Sequence, residues 1–525
     1  MAPLTLEWGP ANSEHLSLEQ NLLEMERSRE AYWLRYPETS PIKLRWRALT
    51  VRHCLHVLPG ESLLEIGAGS GLWTEHLSKV FRGENPITGA VFNQELAEAA
   101  WAKPLANTIF IRVDQLATDL PIESFNYVIG TAILCHNLYA QNLAAIHRLL
   151  KPGGQFLFFE ANYWNPQVFA KSTVRVIGKW TGNADCQVGL RKYELLRVAS
   201  HQGFTHVDVI PYDIVHPLTP RFFIKWVRGL AFVLEHTPFI REVCGTLYIW
   251  ARKPGAEIAR RPLVALDPHE NLFGSTSVVI PCHNEEMNIR PLVEALLQIY
   301  GKYIHEIILV NDNSTDRTQE VALGMNEFDS RVRLLDRRPP AGVGRALRDG
   351  YAAASGRYIL TMDCDFVQIV PELRDLFEVI AAGHDGAIGS RFSQESVLIN
   401  YPLGKILCNR SFHMLLNLLL RKRVRDISNN LKLLRAEILK NVVIEEDHFA
   451  ANVETGLKPI LAGYDIKEVP MSWINRTIDM GQSSFQVVKL APHYLFALLR
   501  IMRNARRSVS TNSPRISEAS VHIDD

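Results

Sequence analysis

The sequence predicts an α/β protein of two domains, and three observations carry that prediction. At 525 residues, the chain exceeds what one hydrophobic core ordinarily supports. From Ser62 onward, short apolar runs alternate with amphipathic stretches, the pattern of a doubly wound parallel sheet. Residues 255–272 break the pattern with prolines and charges, and a fresh apolar run begins at Ser277.

Taken in order, Glu19–Tyr36 is rich in Leu, Glu and Arg and reads as a helix, followed by an amphipathic stretch over Pro41–Leu58. Strands are expected at Ser62–Ile66, Pro86–Val91, Thr108–Val113, Phe125–Thr131 and Gln155–Glu160, because each is a short apolar run bounded by turn residues. Helices fill the gaps at Gly71–Phe81, Gln94–Ala102 and Leu143–Leu150, with Pro152-Gly153-Gly154 as a turn. The resulting division is a helical extension over 1–42, a first domain over 43–254, a linker over 255–272, a second domain over 273–505, and a Ser-rich polar tail over 506–525 expected to be disordered.

Composition narrows the class. A net charge of +1 gives no reason to expect nucleic acid as a partner. The 7 cysteines show no C-x-x-C pair or zinc spacing, which fits a reducing cytoplasmic compartment. The opening MAPLTLEWGPANSEH lacks a basic-then-apolar signal pattern, and no run reaches the roughly 18 apolar residues a spanning helix needs.

In the first domain, Leu63-Leu64-Glu65-Ile66-Gly67-Ala68-Gly69-Ser70-Gly71 is a strand, a glycine turn and a helix start. Glycines there permit positive φ and let a ligand lie against bare backbone, while Glu65 at the strand end can accept hydrogen bonds from a cationic or hydroxylated ligand. His136, in the loop after Phe125–Thr131, is the candidate base should an acceptor need to lose a proton; the other reading of a lone histidine is structural.

LLEIGAGSGLWTEHL, LLKPGGQFLFFE and YELLRVASHQGFTHVDVIPYD together resemble class I S-adenosylmethionine-dependent methyltransferases over about residues 43–254. The resemblance implies a Rossmann-like sheet, S-adenosylmethionine as cofactor, Glu65, Gly67, Gly69 and Gly71 around its methionine moiety, and Asp114 on the adenine side. The sequence departs from the pattern at Val91, where that family places a ribose-binding acid. Asn93, Gln94 or Glu95 could stand in, or the domain is a degenerate binding or scaffolding module.

In the second domain three apolar runs, Ser277–Pro281, Glu306–Val310 and Tyr358–Met362, each lead into a polar turn: His283-Asn284-Glu285-Glu286, Asn311-Asp312-Asn313-Ser314 and Asp363-Cys364-Asp365. Buried parallel strands ending on carboxylates are what a nucleotide-binding sheet needs. Asp363 and Asp365, alternate residues at a strand end, can bring two carboxylates to one site and offer oxygen to a divalent metal on a diphosphate.

SVVIPCHNEE, EIILVNDNSTDRT, GVGRALRDGYAAASGRYILTMDCD and AIGSRF resemble glycosyltransferase family 2, with its GT-A fold, over about residues 275–480. Within that family, AANVETGLKPILAGYDIKEVPMSWINR is similar to the polyprenol-phosphate (dolichol-phosphate) mannosyltransferase branch. The resemblance implies that Pro281, Asn284, Glu285 and Asp312 face a GDP- or UDP-sugar. It places Mg²⁺ or Mn²⁺ on Asp363 and Asp365 and sets Arg391 against phosphate or sugar, with Glu454 and Arg476 in the site. No Gln-x-x-Arg-Trp signature of processive synthases is present, so transfer of a single sugar with inversion is expected. A polyprenyl phosphate acceptor is already anionic and needs no strong base. An alcohol, as in a soluble or secondary-metabolite acceptor, would need one, with Glu454 first in line and Asp447 second.

Tyr401–Arg425 mixes Leu, Met and Phe with Lys405, Arg410, Arg421, Lys422, Arg423 and Arg425 and holds no acid. It reads either as an interfacial helix among headgroups or as a core helix with a solvated basic end; a second apolar-basic stretch, Val487–Arg507, favours peripheral contact at the cytoplasmic membrane face.

Overall fold

The computed structural model describes residues 18–134, 138–173, 189–255, 269–474 and 493–503. The chain divides into two compact units, Met1–Leu266 and Asp267–Asp525.

The first unit opens with two helices, Leu18–Arg35 and Ser40–Cys54. Its strands are β1 (Leu63–Ile66), β2 (Ile87–Val91), β3 (Thr108–Arg112), β4 (Phe125–Thr131), β5 (Leu150–Ala161), β6 (Thr205–Tyr212) and β7 (Thr246–Arg252). They lie in the order β3-β2-β1-β4-β5-β7-β6. Strands β1 to β5 are parallel, but β7 runs antiparallel to both β5 and β6, so the sheet is mixed rather than wholly parallel. All four β1 residues and all seven β4 residues are buried, as strands covered on both faces must be. Leu64, Ile66, Val128, Phe156, Phe158 and Ile249 form the core of this unit. The turn expected at Pro152–Gly154 is drawn into the long β5 strand, with Gly153 at φ 77° donating its N–H to the Pro254 carbonyl.

The second unit contains β8 (Thr276–Cys282), β9 (Ile304–Asn311), β10 (Val332–Asp336), β11 (Tyr358–Thr361), β12 (Gly386–Ser390), β13 (Val397–Ile399), β14 (Lys432–Arg435), β15 (Ile466–Pro470) and β16 (Ser472–Ile474). Seven of these form a sheet in the order β10-β9-β8-β11-β14-β12-β15, and β13 pairs with β16 apart from it. The three apolar runs become β8, β9 and β11 within one or two residues at each end. Strand β14 is antiparallel to β11 and β12 and interrupts the parallel order. In each sheet the strand order reverses once beside the first strand of the unit, between β1 and β4 and between β8 and β11, and a ligand crevice opens at such a point.

Leu403–Leu420 is one helix whose Ile406, His413 and Leu416 are buried while Leu407, Met414 and Leu418 are exposed. It therefore has both a core stripe and an outward apolar stripe. Among the described residues, no helix is long and apolar enough to cross a membrane.

Candidate functional sites

In the second unit, β8, β9 and β11 deliver their polar turns to one edge of the sheet. Parallel register pairs Cys282 with Asn311, and Thr361 lies between Val279 of β8 and Lys432 of β14. Because β14 is antiparallel, two residues past Thr361 on β11 face two residues before Lys432 on the other side. That is where Asp363 accepts a hydrogen bond of 2.6 Å from Asn430 Nδ2. Asp365 follows as the residue preceding a 3-10 turn over Phe366–Glu372. Burial, then the neighbouring Asp365 carboxylate, pushes Asp363 up to about 7. Carboxylate oxygens are the donor type that a hard divalent ion takes. Among the described residues, no group of three or more His, Cys, Asp or Glu side chains forms a complete protein cage for a metal. Behind the aspartates, Cys282 and Cys364 bring their thiols 3.4 Å apart, both buried.

The residues expected on the nucleotide side are held by the turn after β9, by Thr318 and by the 337–342 loop. Asn284 sits in the left-handed region at φ 57°, where its Oδ1 accepts from the Thr315 N–H at 2.8 Å and its own N–H meets Ser314 Oγ at 3.0 Å. The Glu285 N–H donates to Thr318 Oγ1 at 2.8 Å. Pro281 is half-buried in β8 opposite Val310. Asp312 is buried, and its carboxylate is taken by Arg337 and by the Gly342 N–H at 2.6 Å. It ties the turn after β9 to the 337–342 loop instead of offering open lone pairs.

Arg391 also lies deeper than a residue free to meet phosphate. Its backbone N–H and Nε reach Asp426 Oδ2 at 2.9 and 2.7 Å, and Nη2 reaches Oδ1 at 2.8 Å, a two-pronged pair. Nη1 donates to Tyr401 at 3.1 Å, and Phe392, Tyr401 and Trp473 surround the guanidinium with ring centroids 5.8–5.9 Å away. Glu468, the acid of the E-V-P strand, accepts the N–H groups of Arg425 and Asp426 at 2.8 and 2.7 Å and so fixes the residue that fixes Arg391.

Glu454 is fully buried; its Oε2 accepts the N–H groups of Glu445 and Glu446 at 2.8 Å each, and its Oε1 lies 2.9 Å from Lys458 Nζ. This carboxylate is held by the 445–446 backbone and by Lys458. Asp447 is paired with Arg345 and Arg348. Arg476 and His136 lie outside the described residues.

In the first unit, Gly67, Gly69 and Gly71 all have positive φ, 68°, 57° and 79°, as a ligand cradle requires. Glu65 is buried, accepts 2.7 Å from Thr74 Oγ1, and is pushed by burial up to about 8. Its Oε1 is buried without a hydrogen-bond partner.

The cradle's polar groups are met by the first helix. Glu26, Arg29 and Glu30 share one face of Leu18–Arg35 at i, i+3 and i+4, and all three are buried. Glu26 Oε1 accepts the Gly69 N–H at 3.0 Å, while Oε2 accepts the N–H groups of Phe92 and Asn93, just past β2, at 3.0 and 2.8 Å. Arg29 donates to the Gly67 carbonyl and, at 3.2 Å, to that of Thr131; Ser70 donates to Glu30. A methyl group on Gly69 would meet Glu30 Oε2 at 2.6 Å. In this arrangement the backbone conformation fits a cofactor but its hydrogen-bonding groups do not, because the chain itself has taken them.

The three residues proposed to substitute for a ribose acid at Val91 differ in their contacts. Asn93 caps the next helix through Leu96 N–H at 3.1 Å, Gln94 donates to Glu98 at 2.9 Å, and Glu95 lies 4.0 Å from Arg27. Asp114 is exposed and grips Arg112 at 2.8 and 2.5 Å. The acid at the tip of β2 is Glu26.

Comparison with known proteins matches a stretch of each unit to a family model. Residues 277–443 match the model of glycosyl transferase family 2, and residues 63–154 match that of a methyltransferase domain. The chain is 27% identical over 222 residues to the polyprenol monophosphomannose synthase of Mycolicibacterium smegmatis, covering 40% of this chain and 81% of that one. It is 29% identical over 232 residues to the dolichol-phosphate mannosyltransferase of Pyrococcus furiosus, covering 43% and 63%. Among solved structures, it is similar to glucosyl-3-phosphoglycerate synthase from Mycobacterium tuberculosis at 18% identity and TM-score 0.35, covering 43% of this chain and 79% of that one. A SAM-dependent methyltransferase from Thermotoga maritima, a possible histamine N-methyltransferase, aligns at 16% identity and TM-score 0.31, covering 45% and 100%.

Proposed function

We propose that this enzyme, a family 2 glycosyltransferase domain joined to a methyltransferase domain, transfers a single sugar from a GDP- or UDP-sugar to a polyprenyl-phosphate-type acceptor at the cytoplasmic membrane face. The observation that carries the reading is the placement of Asp363 and Asp365 where the strand order reverses, with Asn430 orienting the first of them. Mg²⁺ or Mn²⁺ held by these two carboxylates would supply charge to the departing diphosphate.

The chain's own residues do the remaining work. Asn284, Glu285 and Pro281 shape the nucleotide side through the β8 turn, and Asp312 with Arg337 stiffens the loop behind it. Arg391 acts by positioning Tyr401 and Trp473, since its own donors are spent on Asp426 and Tyr401. An acceptor phosphate oxygen forms the new bond to the anomeric carbon as the bond to the nucleoside diphosphate breaks, with inversion, and no proton need be removed. The commitment of both Glu454 and Asp447 to structural partners supports a phosphate acceptor over an alcohol. The names of the two mannosyltransferase relatives point the same way.

Methylation by the first domain would act in the same pathway. A second reading, that this half is a binding or scaffolding module, is favoured by the self-engaged cradle at Gly67–Gly71. The deciding experiment is a donor screen of the full chain with mixed polyprenyl phosphates and alcohols, read by mass spectrometry. A hexosyl polyprenyl phosphate is expected; a product formed only on alcohols would overturn the acceptor assignment.

A further inference from the structure

The helix Arg221–Leu234 of the first unit, RFFIKWVRGLAFVL, is apolar on both sides. Ile224 and Ala231 face the unit and are buried, and Arg228 stacks over the Trp46 ring at 4.6 Å to hold the inner side down. Facing out at i, i+4 and i+8 are Phe222, Trp226 and Leu230, with Phe223 beside them; Phe222 is 77% and Trp226 68% exposed. Phe239, 89% exposed, follows a few residues on. Scattered exposed apolar residues are ordinary, but a contiguous aromatic face on a surface helix is not.

Charge selects the occupant. Residues 214–234 include Arg221, Lys225 and Arg228 and no Asp or Glu. The acids on either side turn inward: Asp213 lies 2.8 Å from Lys43, and Glu235 accepts the Ile214 N–H at 3.1 Å. A short helix with Phe and Trp outward, cations along it and no outward acid has the chemistry that seats a helix flat among anionic headgroups. We infer that the Arg221–Leu234 helix docks the methyltransferase unit on an anionic lipid bilayer, burying Phe222, Phe223 and Trp226 among the headgroups. This membrane face is separate from the Leu403–Leu420 segment of the glycosyltransferase unit and holds whatever the sugar acceptor is.

The test is flotation of the full chain with vesicles of phosphatidylcholine alone or with added phosphatidylglycerol. Combined Phe222→Ser, Phe223→Ser and Trp226→Ser should weaken binding by about tenfold or more. Arg221→Glu with Lys225→Glu should do the same for the phosphatidylglycerol vesicles only. Should the aromatic variant fail to fold, the charge variant and quenching of Trp226 by brominated lipid, absent in Trp226→Phe, still decide the matter. Wild-type binding by both variants would overturn the inference. So would loss of binding only when Arg421, Lys422 and Arg423 are made neutral, an outcome that leaves the lipid-phosphate reading intact. A wild-type dimer that becomes monomeric in the aromatic variant, without vesicle binding, would assign the face to a second copy instead.

Discussion

Glu26 Oε1 stands 3.0 Å from the backbone nitrogen of Gly69, so a carboxylate from the first helix fills the glycine turn of the methyltransferase domain. Its other oxygen bridges to the backbone after β2, the position where Val91 leaves no acid. Burial raises Glu26 above the ordinary carboxylate range, with Arg29 opposing the shift.

Removing this carboxylate should open the cradle. Glu26→Ala is expected to tighten S-adenosylmethionine binding to the full chain by about tenfold or more, the equivalent of about 1.4 kcal/mol. Titration calorimetry checks it; weaker binding in the variant would show that Glu26 serves the ribose, not that it blocks it.

Asp363→Asn and Asp365→Asn should each lower sugar transfer by about a hundredfold or more, because a carboxylate that would hold the divalent ion against the leaving diphosphate is lost. Mn²⁺ affinity followed by electron paramagnetic resonance should fall in parallel. Unchanged metal affinity in both variants would remove these residues from the metal site.

Asp426, fully buried, carries the counter-charge of the half-buried Arg391. Asp426→Ala leaves Arg391 unpaired and should cost about 3–5 kcal/mol of stability in the second unit. Denaturant unfolding measures this; a loss below about 1 kcal/mol would mean that the pair is solvated.

The replacement Glu454→Gln keeps the shape of the side chain and loses the charge that Lys458 and two backbone N–H groups share. A lower melting temperature is expected, with turnover of the folded enzyme within about tenfold of wild type and an unchanged pH profile. Disappearance of the acid limb from that profile would assign Glu454 as a base.

The first unit should become less stable as pH rises. Burial lifts Glu65 from an ordinary 4.5 to about 8, so between those values the folded state holds a proton that the unfolded chain releases. The contribution of Glu65 to stability is therefore greatest at the acid end of this window and falls, by at most about 1.4 kcal/mol per pH unit, until Glu65 ionises in the fold as well. Glu160, lifted to about 7, has the same sign, so Glu65→Gln should make the decline shallower without abolishing it. Thermal melts from pH 5 to about 8.5 compare the two; an identical slope would place the effect elsewhere.

Much of this was legible because period and punctuation are local. The β8, β9 and β11 runs and the glycine turn after β1 announce themselves in a few consecutive residues. The antiparallel β7 and β14 did not, since strand direction depends on which neighbour a run meets and not on its own composition. For the same reason the roles of Asn430, Asp426 and Glu26 were invisible: each acts across a long separation in the chain. Glu26, Arg29 and Glu30 did carry a signal, three charges on one helical face, but it reads equally as a solvated stripe. The partners of Glu454 were equally out of reach, because an acid in a family-like helix says nothing of how many backbone donors hold it.

Asp363 and Asn430 are separated by 67 positions yet share one hydrogen bond, because β14 returns antiparallel beside β11. After β13 the chain runs out into the Leu403–Leu420 helix, with its outward apolar stripe, before it returns through β14. Evolution or an engineer could lengthen, shorten or exchange that stretch to suit a different acceptor while the register of β11 on β14 keeps the aspartates where they are.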